Sequence, residues 1–404
     1  MDMRVLLLAD VTTEDPASGS EQVLYHHAEG LTGKGIEVCA ITREDTGFSP
    51  PVFRKTLHKK EVSYCVNTQN QLRFFLSLLK YPPKLFDSFI KEGSFDIVIG
   101  HQPFTCFALL IRRKLKNIPM LYVFHSPSHE EYLLQHQNRY TLKSMISVQI
   151  RRMIEKASVK RSSKVMVLSH YMKEKLQDTH RIIPDHIIVN PGGADLCRFK
   201  PILNRQLLKE KFNLPKDKVH LLTVRNLDPR MGLDNLLQCI AILRKEREDI
   251  YLTIGGEGPE KKALEDIVLK YSMEDTVNFT GFIPSELLPE YYAAADLFIL
   301  PTRSLEGFGL VTPEAMACGT PVLGTPVGGT KEILSTFNPR FLFQDASPES
   351  MAKGIERFFE EFLACHNKYY YLRHQCREYA EKNYSWQRHT DKLLSILNEI
   401  ITLQ

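Results

Sequence analysis

The feature that most constrains this chain is a strand–helix alternation that runs almost its whole length, in two successive series. Strand candidates in the first are Arg4–Ala9, Glu37–Ile41, Phe95–Gly100, Met120–Phe124, Lys164–Leu168 and Ile187–Asn190. Those in the second are Val219–Val224, Ile250–Ile254, Thr276–Phe279, Leu297–Leu300 and Pro321–Gly324. Several are near-continuous apolar runs, the pattern of strands buried on both faces of a parallel sheet. Each series therefore predicts a doubly wound α/β domain. A length of 404 residues accommodates two or three domains.

The break between the series lies near 191–218, where PGGADLCRFKP is followed by a short charged helix and then NLPKDK. Glycine, proline and charge cluster there as in a linker. The expected division is a first domain over 1–198, a second over 199–383, and a tail over 384–404. That tail reads as an amphipathic helix with Leu393, Leu394, Leu397 and Ile400 at helical spacing.

Composition excludes several classes. Hydrophobic residues make up 43% and charged residues 25%, ordinary for a soluble globular protein. The net charge of +4 permits an anionic ligand or membrane surface, but its basic residues are spread along the chain and do not argue for nucleic acid, which is not an expected partner. The eight cysteines form no CxxC pair and no zinc-like spacing, so reduced thiols in a cytoplasmic protein are expected. The start, MDMRVLLLADVTTED, suits a first strand better than a signal peptide. No apolar run approaches the ~18 residues of a membrane span.

Chemistry concentrates in EGFGLVTPEAMACGTPVLGT at 306–325. Two carboxylates, Glu306 and Glu314, bracket a small apolar loop with two glycines. Thr312 and Pro313 read as the N-cap and first turn of a helix that Gly319 ends. A helix start offers bare amides to an anion, and the glycines admit a phosphate close to the backbone.

Other candidates sit at strand ends, where ligands bind in such folds. Gly19, in SGS before a helix, can admit a phosphate or sugar. His101 follows FDIVIG and His125 follows MLYVF; a histidine there can contact a hydroxyl or act as acid or base. In TVRNLDPRMG at 223–232, Arg225 and Arg230 are placed to neutralise a diphosphate. GGEGPE at 255–260 reads as a tight structural turn. The helix expected over 140–164 carries seven basic side chains beside Leu142, Met145, Ile146, Met153, Ile154 and Ala157. Such a stripe is more often core and such basic residues a solvated face, with contact to anionic lipid or a charged acceptor as the other reading. DxD, GxSxG, Walker, HExxH and GxGxxG motifs are absent from the sequence.

Taken together these residues resemble family 4 glycosyltransferases, retaining nucleotide-sugar enzymes of the GT-B fold. The resemblance covers nearly the whole chain. It rests on the Gly19 loop, FHSP at 124–127, NPGGADLCRFKP at 190–201 and GGEGP at 255–259. It continues through VNFTGFIPSELLPEYYAAADLFILPT at 277–302 to the Glu–x7–Glu segment. It implies two Rossmann-like, doubly wound domains facing across a cleft, the first on the acceptor side and the second binding the donor, with the tail helix crossing back to the first.

The resemblance also implies roles. Glu306 would hold hydroxyls of the donor sugar and Glu314 those of the ribose. Backbone amides at Phe308, Gly309 and Leu310 would meet sugar and phosphates, and Phe282 would lie beside the base. Gly19 would line the donor, His125 would reach the transferred sugar, and His101 is an acceptor-side candidate. The donor would be a nucleoside diphosphate sugar, no metal or other cofactor is expected, and the acceptor would be a carbohydrate or lipid-linked precursor. The expected location is the cytoplasm, to which the lipid reading of 140–164 adds peripheral contact at the inner membrane face.

One segment departs from the family pattern of Arg, then Lys five residues later, then Gly. If Gly232 anchors the match, the two cations become Asn226 and Met231. If cation spacing anchors it, Arg225 and Arg230 take the roles one residue early. This departure supports a second reading, a non-catalytic sugar-nucleotide-binding subunit.

Overall fold

The computed structural model describes residues 3–13, 18–44, 52–55, 60–66, 71–135 and 141–403. The chain divides into two compact units, one of residues 1–191 with 386–404 and the other of 192–385. The break falls earlier than the expected 198/199 because the segment after Pro191 packs on the second unit. There Ala194 bridges to Ser385, and Arg377 donates to the carbonyls of Phe199 and Leu196.

The first unit is built on a sheet of strands β1 (Arg4–Leu8), β2 (Glu37–Glu44), β3 (Val52–Lys55), β4 (Lys60–Cys65), β5 (Ile97–Gly100), β6 (Met120–Val123), β7 (Lys164–Val167) and β8 (Ile187–Val189). Their order is β3-β4-β2-β1-β5-β6-β7-β8, parallel throughout except for β3, which runs antiparallel to β4. Strand β1 is buried at every position, as its apolar run requires. The order reverses direction between β1 and β5, and helices such as Gly19–Gly33 and Pro103–Ile111 follow those strands. Asp10 at the end of β1 accepts from the backbone N–H of Phe104 and Thr105, capping the second of these helices.

The tail forms a helix, Trp386–Thr402, that packs on helix Gly19–Gly33. Its buried stripe is Trp386, His389, Thr390, Leu393, Ile396, Leu397 and Ile400. The ring of Trp386 stacks on His26 at 4.2 Å, and Lys34 pairs with Asp391.

Strands β3 and β4 escape the apolar pattern. In β4, KEVSYC, the buried charged residue Glu61 interrupts the run; its carboxylate accepts from Thr42 and from the backbone and hydroxyl of Thr13. Polar groups can occupy an interior strand when they find hydrogen-bond partners there.

The second unit holds strands β9 (Val219–Val224), β10 (Ile250–Gly255), β11 (Val277–Gly281), β12 (Leu297–Leu300) and β13 (Val322–Gly324), all parallel, in the order β11-β10-β9-β12-β13. Here the order reverses between β9 and β12. Asp296, just before β12, accepts from the backbone of His220 in β9 and pairs with Arg205 and Lys209. Burial opposes ionisation of Asp296, yet the two cations hold its carboxyl at about 2. That network locks the N-terminal ends of the two central strands together, opposite the end where the loops with chemistry emerge.

Candidate active site

In a doubly wound sheet the crevice outside the carboxyl ends of the strands opens where the strand order reverses. In the second unit that point lies between β9 and β12. The residue after β9 is Arg225, and the loop after β12 runs through Thr302 to Glu306. The structure brings these together: Arg225 Nη2 lies 2.5 Å from Glu306 Oε2, and the same oxygen accepts from the Thr302 hydroxyl at 3.1 Å. Side chains of Arg225 and Glu306 are 8% and 9% exposed. Met231 Sδ also lies 2.7 Å from Arg225 Nη2.

Arg230 acts on the same loop from outside. Its Nη1 donates to the Leu305 carbonyl at 2.8 Å, and its own carbonyl accepts from Arg303 N. Leu305 is buried with φ of 55°, a left-handed conformation that a leucine adopts only under constraint. Arg230 is part of that constraint, and the conformation sets the direction in which Glu306 leaves the backbone. Asn226, by contrast, is exposed. The cations that the β9 side brings to the 302–306 loop are thus Arg225 and Arg230.

The turn carrying Arg225 is braced from behind by GGEGPE. Leu227 N donates to Glu257 O, and Glu260 N donates to Leu227 O. Gly256 has φ of 126°, and a Cβ there would sit 1.9 Å from the Arg225 carbonyl oxygen. The structural reading of these glycines is what the geometry shows.

Beyond Glu306 the chain enters helix Val311–Ala317, whose N-cap is Leu310 and not Thr312. Thr312 lies inside the first turn, so its hydroxyl does not cap the helix. The helix ends as expected at Gly319, with Gly319 N bonded to Met316 O and Thr320 N to Ala315 O. Phe308 is buried, and with Leu310 it packs over Gly192. Glu314 is 6% exposed and accepts from the Tyr292 hydroxyl at 3.2 Å. Burial raises its carboxyl to about 7, against the opposing pull of the Tyr292 bond and of Arg198. Phe282, after β11, is 60% exposed.

Several participants carry no expectation from the sequence. Helix Gly328–Phe337 begins under the Glu306 loop, and Gly329 N donates to Glu306 O. Gly328 has φ of 60°, and a Cβ on it would lie 2.0 Å from the Glu306 carbonyl oxygen. A Cβ on Gly309 would fall 2.4 Å from Thr330 Oγ1 and 3.5 Å from Thr312 Oγ1. These two hydroxyls, and Arg225 Nε, are buried with no hydrogen-bond partner among the described residues. Buried donors left unpaired are uncommon in a folded protein, and a polar ligand or a water molecule can complete them. The signal in the sequence is the pair of glycines and threonine after a strand, TPVGGT at 325–330.

In the first unit, Gly19 is the first residue of helix Gly19–Gly33. Ser18 caps that helix and exchanges backbone and side-chain bonds with Glu21, so part of the helix start is satisfied by its own sequence. Residues 14–17 of the expected loop lie outside the described residues. His125 follows β6 as expected and is half-buried; burial lowers it to about 4. His101 requires a correction. It is 1% exposed, and both ring nitrogens are engaged, Nε2 with His27 and Nδ1 with His125. It stands behind His125 and does not offer a surface to an acceptor.

Residues 17–198 match the family model described as Glycosyltransferase Family 4, and residues 204–383 match Glycosyl transferases group 1. The chain belongs to the family 4 glycosyltransferases. Among curated relatives of this glycosyltransferase is a D-inositol 3-phosphate glycosyltransferase of Pseudarthrobacter chlorophenolicus. It is 28% identical over 386 residues, which cover 89% of this chain and 87% of that protein. A protein of the same name from Streptomyces scabiei is 24% identical over 357 residues, 85% of this chain and 78% of that one.

The fold recurs in solved structures. Sucrose-phosphate synthase from Thermosynechococcus elongatus superposes with a TM-score of 0.81 at 23% identity, covering 99% of this chain and 100% of that one. An Anabaena protein in complex with UDP-glucose gives 0.75 at 16% identity, covering 98% and 100%. The glycosyltransferase therefore has the GT-B fold, two parallel-sheet α/β domains.

Proposed function

We propose that the protein is a retaining glycosyltransferase that moves a sugar from a nucleoside diphosphate sugar to a carbohydrate or lipid-linked acceptor. The observation that carries this is the cluster at the β9/β12 reversal. Arg225 holds Glu306, while Arg225 Nε and the hydroxyls of Thr312 and Thr330 stand buried and unpaired, the hydroxyls beside Gly309. Unpaired donors around a glycine suit a ligand rich in acceptor oxygens, and a diphosphate is such a ligand.

In this reading Glu306 accepts from hydroxyls of the donor sugar, and Glu314 from those of the ribose. Phe308, Gly309 and Leu310 present backbone to sugar and phosphates, and Phe282 lies by the base. His125 serves the transferred sugar. When the anomeric carbon–oxygen bond breaks, its electron pair goes to the departing diphosphate. Arg225 and Arg230 meet that charge with the positive ends of the nearby helices, and these preorganised charges need no reorganisation at the moment of reaction. The acceptor oxygen bonds to the anomeric carbon on the face that the diphosphate leaves, and the acceptor's proton passes to a phosphate oxygen. No metal is required in this scheme. Replacing Glu306 with Gln tests the assignment: transfer should be lost while the fold survives, and full activity would overturn it.

A second reading, a sugar-nucleotide-binding subunit without turnover, draws on Asn226 and Met231 at the positions where the resemblance expects cations. Calorimetry with a donor panel and a donor-hydrolysis assay separates the two. Tight binding without turnover, with turnover gained on Asn226→Arg, favours the subunit.

A lipid-linked acceptor draws support from helix Leu142–Arg161. Leu142, Met145, Ile146 and Met153 are 76%, 56%, 52% and 69% exposed, among basic side chains. They are surface, not the core that such a stripe more often forms. Exposed apolar groups beside cations suit an anionic bilayer, and peripheral contact at the cytoplasmic face is proposed on that ground. No helix among the described residues is long and apolar enough to cross a membrane. Flotation with anionic vesicles, lost on Met145→Lys/Met153→Lys, tests the peripheral contact.

A further inference from the structure

Four histidines of the first unit form a continuous chain. His125 Nε2 lies 3.4 Å from His101 Nδ1, and His101 Nε2 lies 3.1 Å from His27 Nδ1. His27 Nε2 lies 2.7 Å from His389 Nε2, and His389 Nδ1 lies 2.8 Å from the carbonyl oxygen of Pro191. The chain starts after β6, passes the end of β5 and helix Gly19–Gly33, and ends on the tail helix. His27, His101 and His389 are 0%, 1% and 2% exposed.

All four rings are neutral near neutral pH. Burial drives His27 and His101 well below the ordinary imidazole range and His125 and His389 to about 4. At His389 the hydrogen bond to Pro191 pulls upward against burial, and Lys392 lowers it further.

A neutral imidazole has one N–H and one acceptor nitrogen, so a chain of them has a direction, set by whatever terminates it. The terminus here is a carbonyl, which can only accept. His389 must therefore carry its proton on Nδ1, which makes its Nε2 an acceptor. His27 then donates from Nε2 and accepts at Nδ1. By the same step His101 donates from Nε2 and accepts at Nδ1, and His125 donates from Nε2. Every link is determined by the one before it.

We infer that His389, His27 and His101 are positioning residues that hold His125 as its Nε2–H tautomer, leaving Nδ1 as an unprotonated acceptor. The Pro191 carbonyl, at the last residue before the chain enters the second unit, sets that tautomer through three intervening rings. The chemical consequence is that His125 receives a hydrogen bond from a hydroxyl at Nδ1 and does not donate one there. This rests on the glycosyl-transfer reading for its substrate, a sugar hydroxyl, but not for the tautomer itself.

The chain is anchored at its far end. Asn190 Nδ2 donates to His389 O, Lys392 Nζ donates to Val189 O, and a Cβ on Gly30 would lie 2.3 Å from Thr390 Oγ1. Helix–helix contact this close fixes the imidazole spacing.

The test is two-bond nitrogen–proton correlation NMR on ligand-free protein with nitrogen-15 histidine, the His125 signals assigned by their loss in His125→Asn. The wild type should show His125 protonated at Nε2. His389→Leu, which removes the terminating donor, should give a mixture of His125 tautomers. His389→Gln, whose amide can donate to Pro191 and accept from His27, should restore the single Nε2–H form. A wild-type His125 protonated at Nδ1 would overturn the inference even if the variants fail to fold, and so would a His125 tautomer unchanged in folded His389→Leu. Transfer by His125→Ala is a separate readout. Its full activity would remove His125 from the proposed reaction while leaving the tautomer result standing.

Discussion

Arg225 Nη2 and Glu306 Oε2 meet in a buried ion pair at the point where the strand order of the second unit reverses, and the Thr302 hydroxyl shares the same carboxylate oxygen. Taking two charges out of water is costly, and removing one member strands the other. Arg225→Leu should therefore cost about 3–5 kcal/mol of stability, and Arg225→Leu/Glu306→Leu should recover much of it. Thermal unfolding of the two singles and the double in a mutant cycle measures the coupling, and additivity of the singles would show that the pair is not coupled.

In the proposed reading, Glu314 gives the donor site a pH dependence of defined sign. Burial lifts its carboxyl to about 7, so without ligand it is part-protonated at neutral pH. Ribose hydroxyls are best accepted by the ionised form. Donor affinity should fall by about tenfold for each pH unit below 7, since binding must then displace a proton. Glu314→Gln should bind more weakly at pH 8 and lose this slope. Titrations with nucleoside diphosphate at pH 6, 7 and 8 read it.

The histidine chain makes the first unit sensitive to acid. His389 has a folded pKa of about 4 against 6.5 for the ordinary imidazole. Between those values the unfolded chain binds more protons than the folded one, so stability falls as pH drops from 6.5 towards 4. At full extent His389 alone accounts for about 3 kcal/mol, at about 1.4 kcal/mol per pKa unit. Stability should be flat in this contribution above 6.5, and His389→Gln should remove part of the acid loss. Melting temperatures across pH 4.5–7.5 for wild type and variant provide the check.

Gly328 carries no functional group, yet its replacement should impair transfer. With φ at 60° and the Glu306 carbonyl oxygen 2.0 Å from where a Cβ would stand, alanine has no room there without moving the Glu306 loop. Gly328→Ala should lower stability by roughly 1–3 kcal/mol through backbone strain and reduce kcat/KM at least tenfold through displacement of Glu306. Wild-type kcat/KM in this variant would show that the loop position is not critical.

Much of the fold is readable in the sequence because apolar runs such as Val5–Leu8 and Leu297–Leu300 report burial on both faces directly. Strand β4 is not, because Glu61 sits inside it and is satisfied by Thr13 and Thr42 from elsewhere in the chain. In the site, Glu306 and Arg225 are legible as loop residues after strands, but their pairing is not, since it depends on β9 and β12 being neighbours. Tyr292 reaches the site from a helix whose sequence carries no local sign of it, and Thr330 is marked only by the TPVGGT pattern after β13. The link between His27 and His389 spans 362 positions and has no local pattern at all. The exposed Leu142 and Met153 show the converse, an amphipathic spacing that the tertiary structure leaves uncovered.

If the Arg225–Glu306 cluster acts on a nucleoside diphosphate sugar, a donor screen that reads nucleoside diphosphate release will register it. The screen compares the wild type with Glu306→Gln, with glycan and lipid-linked acceptors supplied. Acceptor-dependent release is expected with at least one donor, together with a loss of at least about 100-fold in Glu306→Gln, the scale of a missing transition-state contact. Equal release by folded Glu306→Gln, or no release with any donor by a wild type that binds one tightly, would contradict the proposed function.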